Sequence, residues 1–139
     1  MSLKKTLKNE KDTIAFAKEM SDKLKGRVVL MNGTLGAGKT FFVKSYAENF
    51  GCGETSSPTF TIHQRYEGDI TIHHFDLYRL ENMVELENID FWEFVDSGDT
   101  CFIEWADRFN LKDELEKYTE ITITVDSPTM RTVTVTNVG

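Results

Sequence analysis

The spacing of apolar residues over the first 50 positions predicts a helix, a strand and a second helix. Apolar residues recur at helical intervals over residues 12–24, which predicts an amphipathic helix. The apolar, β-branched run at 27–32 predicts a buried strand that leads into a glycine-rich loop. A second helical face runs over 39–50, and Gly51 follows in the C-cap position. The loop at 33–38 is therefore expected to join a buried strand to a helix.

The remaining pattern mixes strand and helix signals. The predicted elements are a β-hairpin of 59–66 and 70–76, a helix over 81–96 in two pieces around Asn88, a strand at 100–105, a short helix at 112–118, and a closing hairpin of 121–125 and 132–136. Strands that alternate with helices in this way indicate an α/β fold with a mixed, partly parallel sheet.

Length, composition and charge favour a single-domain cytoplasmic protein that does not bind nucleic acid strongly by itself. The chain has 139 residues and 40% hydrophobic positions, which favours one domain over 1–139 with a single core. The longest apolar runs are far shorter than the ~18 residues of a membrane span, and no signal-type segment opens the chain, so we expect a cytoplasmic protein. The net charge of −7 opposes strong direct binding to nucleic acid, because that binding depends on Lys and Arg contacts with phosphates.

The glycine loop matches the phosphate-binding pattern G-x-x-x-x-G-K-[ST] in full. Its residues are Gly33, Thr34, Leu35, Gly36, Ala37, Gly38, Lys39 and Thr40. Glycines in such a loop let successive backbone N–H groups face the phosphates, and the following helix adds the positive end of its dipole. We expect Lys39 to contact the β- and γ-phosphates and the Thr40 hydroxyl to bind Mg²⁺. The motif in this context predicts a three-layer domain of the P-loop NTPase kind.

Two carboxylates end predicted strands and are candidates for the phosphoryl-transfer chemistry. Asp76 closes the strand at 70–76, and Glu104 lies at the end of the strand at 100–105. Either can hold Mg²⁺ through water, and either can orient the nucleophilic water. The sequence leaves open which carboxylate has which role.

Weaker signals surround these candidates. Thr59 follows Pro58 in a loop downstream of the glycine motif, where a hydroxyl can sense the γ-phosphate. Neighbouring residues on a strand point to opposite faces, so His73 and His74 do not form a metal pair, and His74 shares a face with Asp76 and is placed to orient it. The guanine-reading pattern [NT]-K-x-D is absent from the sequence, which favours ATP as the nucleotide.

Four motifs in order resemble the bacterial TsaE family, formerly called YjeE. They are Leu35-Gly36-Ala37-Gly38-Lys39-Thr40, Ser57-Pro58-Thr59-Phe60, His74-Phe75-Asp76-Leu77-Tyr78-Arg79-Leu80 and Glu104-Trp105. The resemblance implies an ATPase for the threonylcarbamoyladenosine modification of tRNA. It implies TsaD and TsaB proteins as partners, with ATP binding and hydrolysis supporting multiple turnover.

By motif position, the resemblance also assigns site residues. It implies that Thr59 lies in a switch-like loop, that Asp76 and Glu104 are the functional carboxylates, and that Trp105 lies near the nucleotide. Three positions depart from the family pattern, with Phe41 for a second Thr, Asp90 for Gly and Ala106 for Pro. None of these positions is a predicted ligand.

Two other functions fit the same motifs. The first is a small-molecule kinase of the nucleoside type, in which Asp76 acts as the base and Arg79 clamps phosphate, although the chain has little room for an acceptor pocket and a lid. The second is a nucleotide-gated binding module with negligible hydrolysis, in which the loop that senses the γ-phosphate controls docking.

Overall fold

A computed structural model describes residues 2–34, 36–52 and 62–139. Its strands are β1 (Ser2–Leu7), β2 (Val28–Asn32), β3 (His63–Glu67), β4 (Thr71–Asp76), β5 (Thr100–Glu104), β6 (Tyr118–Val125) and β7 (Arg131–Val138). Its helices are α1 (Glu10–Glu19), α2 (Ser21–Leu24), α3 (Lys39–Glu48), α4 (Met83–Asn88), α5 (Phe91–Val95) and α6 (Leu111–Glu114), with a 3₁₀ helix at Ala106–Phe109. None of the helices in these ranges has the length and apolar character needed to cross a membrane.

The strands form a mixed sheet in the order β1-β7-β6-β2-β5-β4-β3. The central strands β6, β2, β5 and β4 pair in parallel, whereas β1, β7 and β3 add antiparallel pairs at the two edges. All five residues of β5 are buried, as expected of a parallel strand covered on both faces. The predicted mixed sheet with hairpin additions is therefore confirmed.

Helices cover both faces of this sheet, which confirms the three-layer arrangement. Because side chains alternate along a strand, Val29 and Met31 face one side of the sheet and Leu30 faces the other. The first side packs against α1 and α3, where Phe16 and Phe42 are fully buried. The second side packs against α4, α5 and the segment from the 3₁₀ helix to α6. The glycine loop thus lies at the end of a strand that is packed from both sides.

Two predicted elements differ from the observed ones, and one observed strand was not predicted. The single helix predicted over 12–24 is two helices, because the turn after α1 is closed by Ser21, whose hydroxyl donates to the Lys18 carbonyl at 2.7 Å. The helix predicted at 112–118 ends at Glu114, because Tyr118 already pairs with Val138 in the sheet. The N-terminal strand β1 was not predicted, since only Leu7 of its six residues is buried.

The segment 81–96 forms two short helices, as the pattern around Asn88 predicted. Asp90 lies between them with a φ of 58°, in the left-handed region. Glycine adopts this conformation at the lowest cost, which accounts for the glycine that the TsaE resemblance leads one to expect at this position. Residues 59–61 of the predicted strand 59–66 lie outside the described residues, and residues 63–66 belong to β3.

Candidate nucleotide site

The glycine loop leaves β2 at Asn32 and enters α3 at Lys39. Two of its glycines are required by the geometry. A Cβ on Gly33 would lie 2.7 Å from the Ile123 carbonyl oxygen, and Gly38 has a φ of 102°, which L side chains rarely adopt. The predicted strand, loop and helix are confirmed over the described residues, and Leu35 lies outside them.

The loop is braced from within and from the closing hairpin. The Ala37 N–H donates to the Thr34 carbonyl at 3.0 Å, and the Ala37 carbonyl accepts from Arg131 Nε at 3.2 Å. Sequence reasoning missed Arg131, because it lies 94 positions from Ala37 and reaches the loop only through the pairing of β6 with β7. The loop is therefore held in shape before any ligand binds.

Lys39 is the first residue of α3, and its side chain folds back over the loop. Its Nζ donates to the Gly33 carbonyl at 2.8 Å and lies 3.5 Å from Glu104 Oε1. The same Nζ lies 4.6 Å from the centroid of the Trp105 ring. The residue is only 6% exposed. A buried ammonium is costly unless it is paired, and these three neighbours supply the pairing.

Glu104 ends β5, which pairs directly with β2, and is 5% exposed. Its Oε2 lies 2.5 Å from His74 Nε2, which donates to it. Burial by itself raises the pKa of Glu104, but the hydrogen bond and charge of His74, together with Lys39, outweigh it and leave the pKa lowered. Glu104 is therefore a buried, ionised acceptor at neutral pH.

Asp76 lies beside Glu104 at the same edge of the sheet, because the two residues are register partners in the parallel pair of β4 and β5. Its Oδ1 accepts from the Tyr78 backbone N–H at 3.1 Å. The prediction that each carboxylate closes a strand is confirmed, and the sheet shows in addition that the two strands are neighbours. The expected contact of His74 with Asp76 is corrected, since the Nε2 of His74 contacts Glu104 instead.

Trp105 follows β5 in the left-handed region, with a φ of 64°. This conformation turns the chain so that the indole ring of Trp105 lies against Lys39. The same indole ring also contacts the Tyr78 ring, at a centroid distance of 4.9 Å. The structure thus brings Lys39, His74, Glu104 and Trp105 together by direct contacts.

Thr40 is the second residue of α3 and is half-buried, one position after Lys39. Thr59 lies outside the described residues, so its expected place in a switch-like loop stays a prediction. Within the described ranges, no group of three or more His, Cys, Asp or Glu side chains is arranged to hold a metal ion.

Clefts lie on two sides of the loop. One of about 210 Å³ is lined by Asn32, Gly33, Lys39, Trp105 and Asp107, among others. The other, of about 360 Å³, lies between the loop and the start of the chain, and its lining includes Thr13, Gly36, Gly38, Phe41, Pro128 and Arg131.

Sequence reasoning also missed a second histidine cluster, on the opposite face of the sheet. His73 Nδ1 lies 2.9 Å from His63 Nε2, and His73 Nε2 lies 3.0 Å from Asp99 Oδ2. The predicted opposite orientation of His73 and His74 is confirmed. The partners of His73 become visible only once the register of β3 with β4 is known.

Comparison with known proteins identifies the family. The model of the family "Threonylcarbamoyl adenosine biosynthesis protein TsaE" matches residues 7–133. The chain is similar to the tRNA threonylcarbamoyladenosine biosynthesis protein TsaE of Rickettsia felis, with 42% identity over 106 residues that cover 73% of this chain and 61% of that protein. The TsaE protein of Treponema pallidum is 42% identical over 95 residues, which cover 68% of this chain and 69% of that protein.

The fold has a solved counterpart. The crystal structure of Bacillus subtilis YdiB aligns with a TM-score of 0.77 and 32% identity, over 100% of this chain and 87% of that one. The matched region spans about three fifths of the Rickettsia felis protein's length, 61%. The family match nevertheless covers most of the present sequence, from residue 7 to residue 133. The chain belongs to the TsaE family.

Proposed function

We propose that this chain is a Mg²⁺-dependent ATPase that acts with TsaD- and TsaB-type proteins in the threonylcarbamoyladenosine modification of tRNA. The observation that carries the proposal is the buried pairing of Lys39 with Glu104 at the mouth of the glycine loop. A buried ammonium and a buried carboxylate contribute little net stability even when they are paired, so their retention beside the loop favours a functional role. The family match supports the tRNA-modification pathway.

Lys39 supports phosphate binding through its position. Its Nζ rests on the Gly33 carbonyl, inside the loop whose backbone N–H groups would face the phosphates. When the phosphates arrive, Lys39 exchanges the carbonyl and the carboxylate for phosphate oxygens, which are stronger acceptors for an ammonium. The Lys39 ammonium is therefore already at the phosphate site, and a change of its side-chain orientation is enough for it to bind phosphate.

The donor set fits Mg²⁺, which prefers oxygen ligands and keeps several waters. The Thr40 hydroxyl at the start of α3 and the carboxylates of Asp76 and Glu104 are the protein oxygens that would hold it, directly or through water. When bound, the ion would neutralise charge on the β- and γ-phosphates. Glu104 is the carboxylate best placed to orient the attacking water, because it is buried and its Oε1 faces Lys39 at 3.5 Å.

The larger cleft supports binding of the rest of the nucleotide. It adjoins the glycine loop at Gly36 and Gly38, and it includes the Phe41 ring and the aliphatic surface of Pro128. A purine base needs such apolar surface beside a few polar groups. We therefore place the base and ribose of ATP between the loop, the start of α1 and the closing hairpin.

Exposed apolar side chains near the site support a protein partner. Tyr78 is 48% exposed and Val84 is 62% exposed, in the segment between β4 and α5. This segment also contains the acidic residues Glu81, Glu85 and Glu87. We propose that the surface from Asp76 to Glu93, together with the Thr59 loop, meets the partner complex.

The test is ATP hydrolysis measured with and without a TsaD–TsaB complex. For the wild type we expect weak turnover alone and stimulation by the complex. Lys39→Ala should lower both rates by about 10²-fold or more, because it removes a charged donor from the transition state. Lys18→Ala is the matched control, since Lys18 is exposed on α1 away from the loop, and it should keep the wild-type rates.

Two outcomes would favour the competing functions. ADP release that requires an added nucleoside and ignores TsaD–TsaB would indicate a small-molecule kinase. Unchanged multiple-turnover modification of tRNA by a Glu104→Gln variant that binds ATP but does not hydrolyse it would indicate a nucleotide-gated binding module.

A further inference from the structure

His74 contacts only one of the two oxygens of the Glu104 carboxylate. His74 Nε2 lies 2.5 Å from Oε2, while Oε1 faces Lys39 Nζ at 3.5 Å. His74 is 6% exposed, so the contact is shielded from water. The two oxygens of Glu104 therefore have different partners, and each partner is a different kind of group.

The sheet places this contact. His74 and Phe102 are register partners on β4 and β5, and Glu104 lies two residues beyond Phe102 toward the carboxyl edge. Side chains two residues apart on a strand share a face, so His74 reaches Glu104 diagonally across neighbouring strands. Both strands have a neighbouring strand on each side in the described sheet, so the backbone positions of His74 and Glu104 are held by the sheet.

A glutamate side chain does not orient its own carboxylate well, because the terminal torsion of Glu is broad and roughly two-fold. In the free protein, Lys39 and His74 both restrict this torsion. Once Lys39 turns to the phosphates, the Lys39 restraint on Oε1 is lost. The hydrogen bond from His74 to Oε2 then keeps the carboxylate plane fixed and leaves Oε1 directed at the phosphate site.

We propose that His74 is a positioning residue for Glu104, holding Oε2 so that Oε1 faces the reacting phosphate and its water. This inference rests on the proposed function of the site in ATP hydrolysis. A residue that orients a reactive carboxylate in this way typically contributes about 10- to 100-fold to activity.

The experiment compares variants of the two neighbouring histidines. We expect His74→Leu to lower kcat of ATP hydrolysis with the TsaD–TsaB complex about 10-fold or more, with KM within about 3-fold of wild type. His74→Gln should restore most of kcat, because its amide nitrogen can donate from near the place of Nε2. His73→Leu is the matched control. It removes an imidazole from the same strand on the opposite face, and kcat of the folded protein should be unchanged.

The same substitution made in a Glu104→Gln protein distinguishes a positioning role of His74 from a general structural role. If His74 acts only through Glu104, His74→Leu should have no further effect on kcat when Glu104 is already Gln. Losses that multiply in the double variant would overturn the proposal. So would a His74→Leu variant with wild-type kcat, or a His74→Gln variant as impaired as His74→Leu.

A measurement without hydrolysis distinguishes this inference from the proposed function. The free energy of unfolding in urea is measured for His74→Leu, Glu104→Gln and the double variant. We expect the double variant to lose less stability than the sum of the single losses, because each single variant already lacks the charge-assisted hydrogen bond between His74 and the Glu104 carboxylate. Additive losses of unfolding free energy would show that His74 and Glu104 do not interact, and would overturn the proposal. Absence of hydrolysis by the wild type with the complex would overturn the proposed function and, with it, the role of His74 in hydrolysis. The stability cycle would still decide whether His74 holds Glu104.

Discussion

Two adjacent histidines of β4 form similar contacts in very different surroundings. His74 Nε2 lies 2.5 Å from Glu104, and His73 Nε2 lies 3.0 Å from Asp99. The side chain of Glu104 is 7% exposed, whereas that of Asp99 is 36% exposed. An ionised carboxylate is kept out of water on the face of the glycine loop, while its counterpart on the other face reaches solvent. The costly arrangement is the one that indicates function.

The cluster on the other face is built mainly from ring contacts. The His63 ring stacks on Phe75 at a centroid distance of 4.5 Å with an interplanar angle of 10°, and it lies 4.7 Å from Phe94. His73 is 1% exposed and lies 4.6 Å from the same Phe94 ring. Such contacts add packing energy to the core between the sheet and α5. We interpret this second cluster as structural.

The strongest test of this comparison exchanges each carboxylate for its amide. Glu104→Gln should lower kcat of ATP hydrolysis by about 10²- to 10⁴-fold, because an amide cannot accept a proton or hold a cation as a carboxylate does. Asp99→Asn, the matched control, should leave kcat unchanged. Asp99→Asn should change the free energy of unfolding by at most about 1 kcal/mol, because the amide can still accept from His73. Glu104→Gln should lose more, because the buried Lys39 ammonium then loses its carboxylate partner.

Steady-state kinetics and urea denaturation of both variants provide the measurement. Wild-type kcat in Glu104→Gln would remove the functional distinction between the clusters. A large loss of kcat in Asp99→Asn would extend function to the second face.

The second test concerns acid stability and involves His63. Burial, then the charges of His73, Arg65 and His74, lower the pKa of His63 to about 4 from the ordinary 6.5. Since the folded state holds this imidazole neutral, protons favour the unfolded chain between those two values. The stabilisation is fully present above about pH 6.5 and is lost as the pH falls toward 4.

Urea denaturation at pH 7 and pH 4.5 measures this effect. The wild type should lose about 2 kcal/mol more stability between these pH values than His63→Gln does, because glutamine does not titrate. The quantity compared between the two proteins is the change in the free energy of unfolding from pH 7 to pH 4.5. The stability that His63→Gln loses with the ring stack on Phe75 is the same at both pH values and therefore cancels. Equal pH dependence in the two proteins would show that His63 is not held neutral by its surroundings.

The parts of the site that depend on local sequence could be predicted. The glycine motif defines the loop and the start of α3, and two apolar runs each end in a carboxylate, so the sequence identified Lys39, Asp76 and Glu104 as candidates. The parallel pairing that brings the two carboxylates to one edge comes only from the structure. The pattern also indicated both pieces of the 81–96 segment.

The parts that depend on register could not be predicted. Strand β1 has no alternating pattern, and it forms because β7 offers an antiparallel edge at the far end of the chain. The bond from Arg131 to the loop and the pairing of His63 with His73 also require the sheet alignment. The choice of His74 for Glu104 rather than Asp76 is a matter of a diagonal contact between strands, which alternation alone does not specify.

The test with the smallest expected effect uses the two tryptophans as fluorescence probes, one beside Lys39 and one in α5. The Trp105 ring lies 4.6 Å from Lys39 Nζ, whereas Trp92 packs edge-on against Phe91 in α5, in the core on the opposite face of the sheet from α3. ATP binding should change the fluorescence of Trp105, because Lys39 leaves the ring for the phosphates. Trp92→Phe should therefore keep the fluorescence change, and Trp105→Phe should lose it. Because phenylalanine retains a ring over the ammonium, ATP affinity should shift by less than about 1 kcal/mol in Trp105→Phe. A signal that disappears instead in Trp92→Phe would place the nucleotide response on the opposite face of the sheet and contradict the functional distinction between the two histidine clusters.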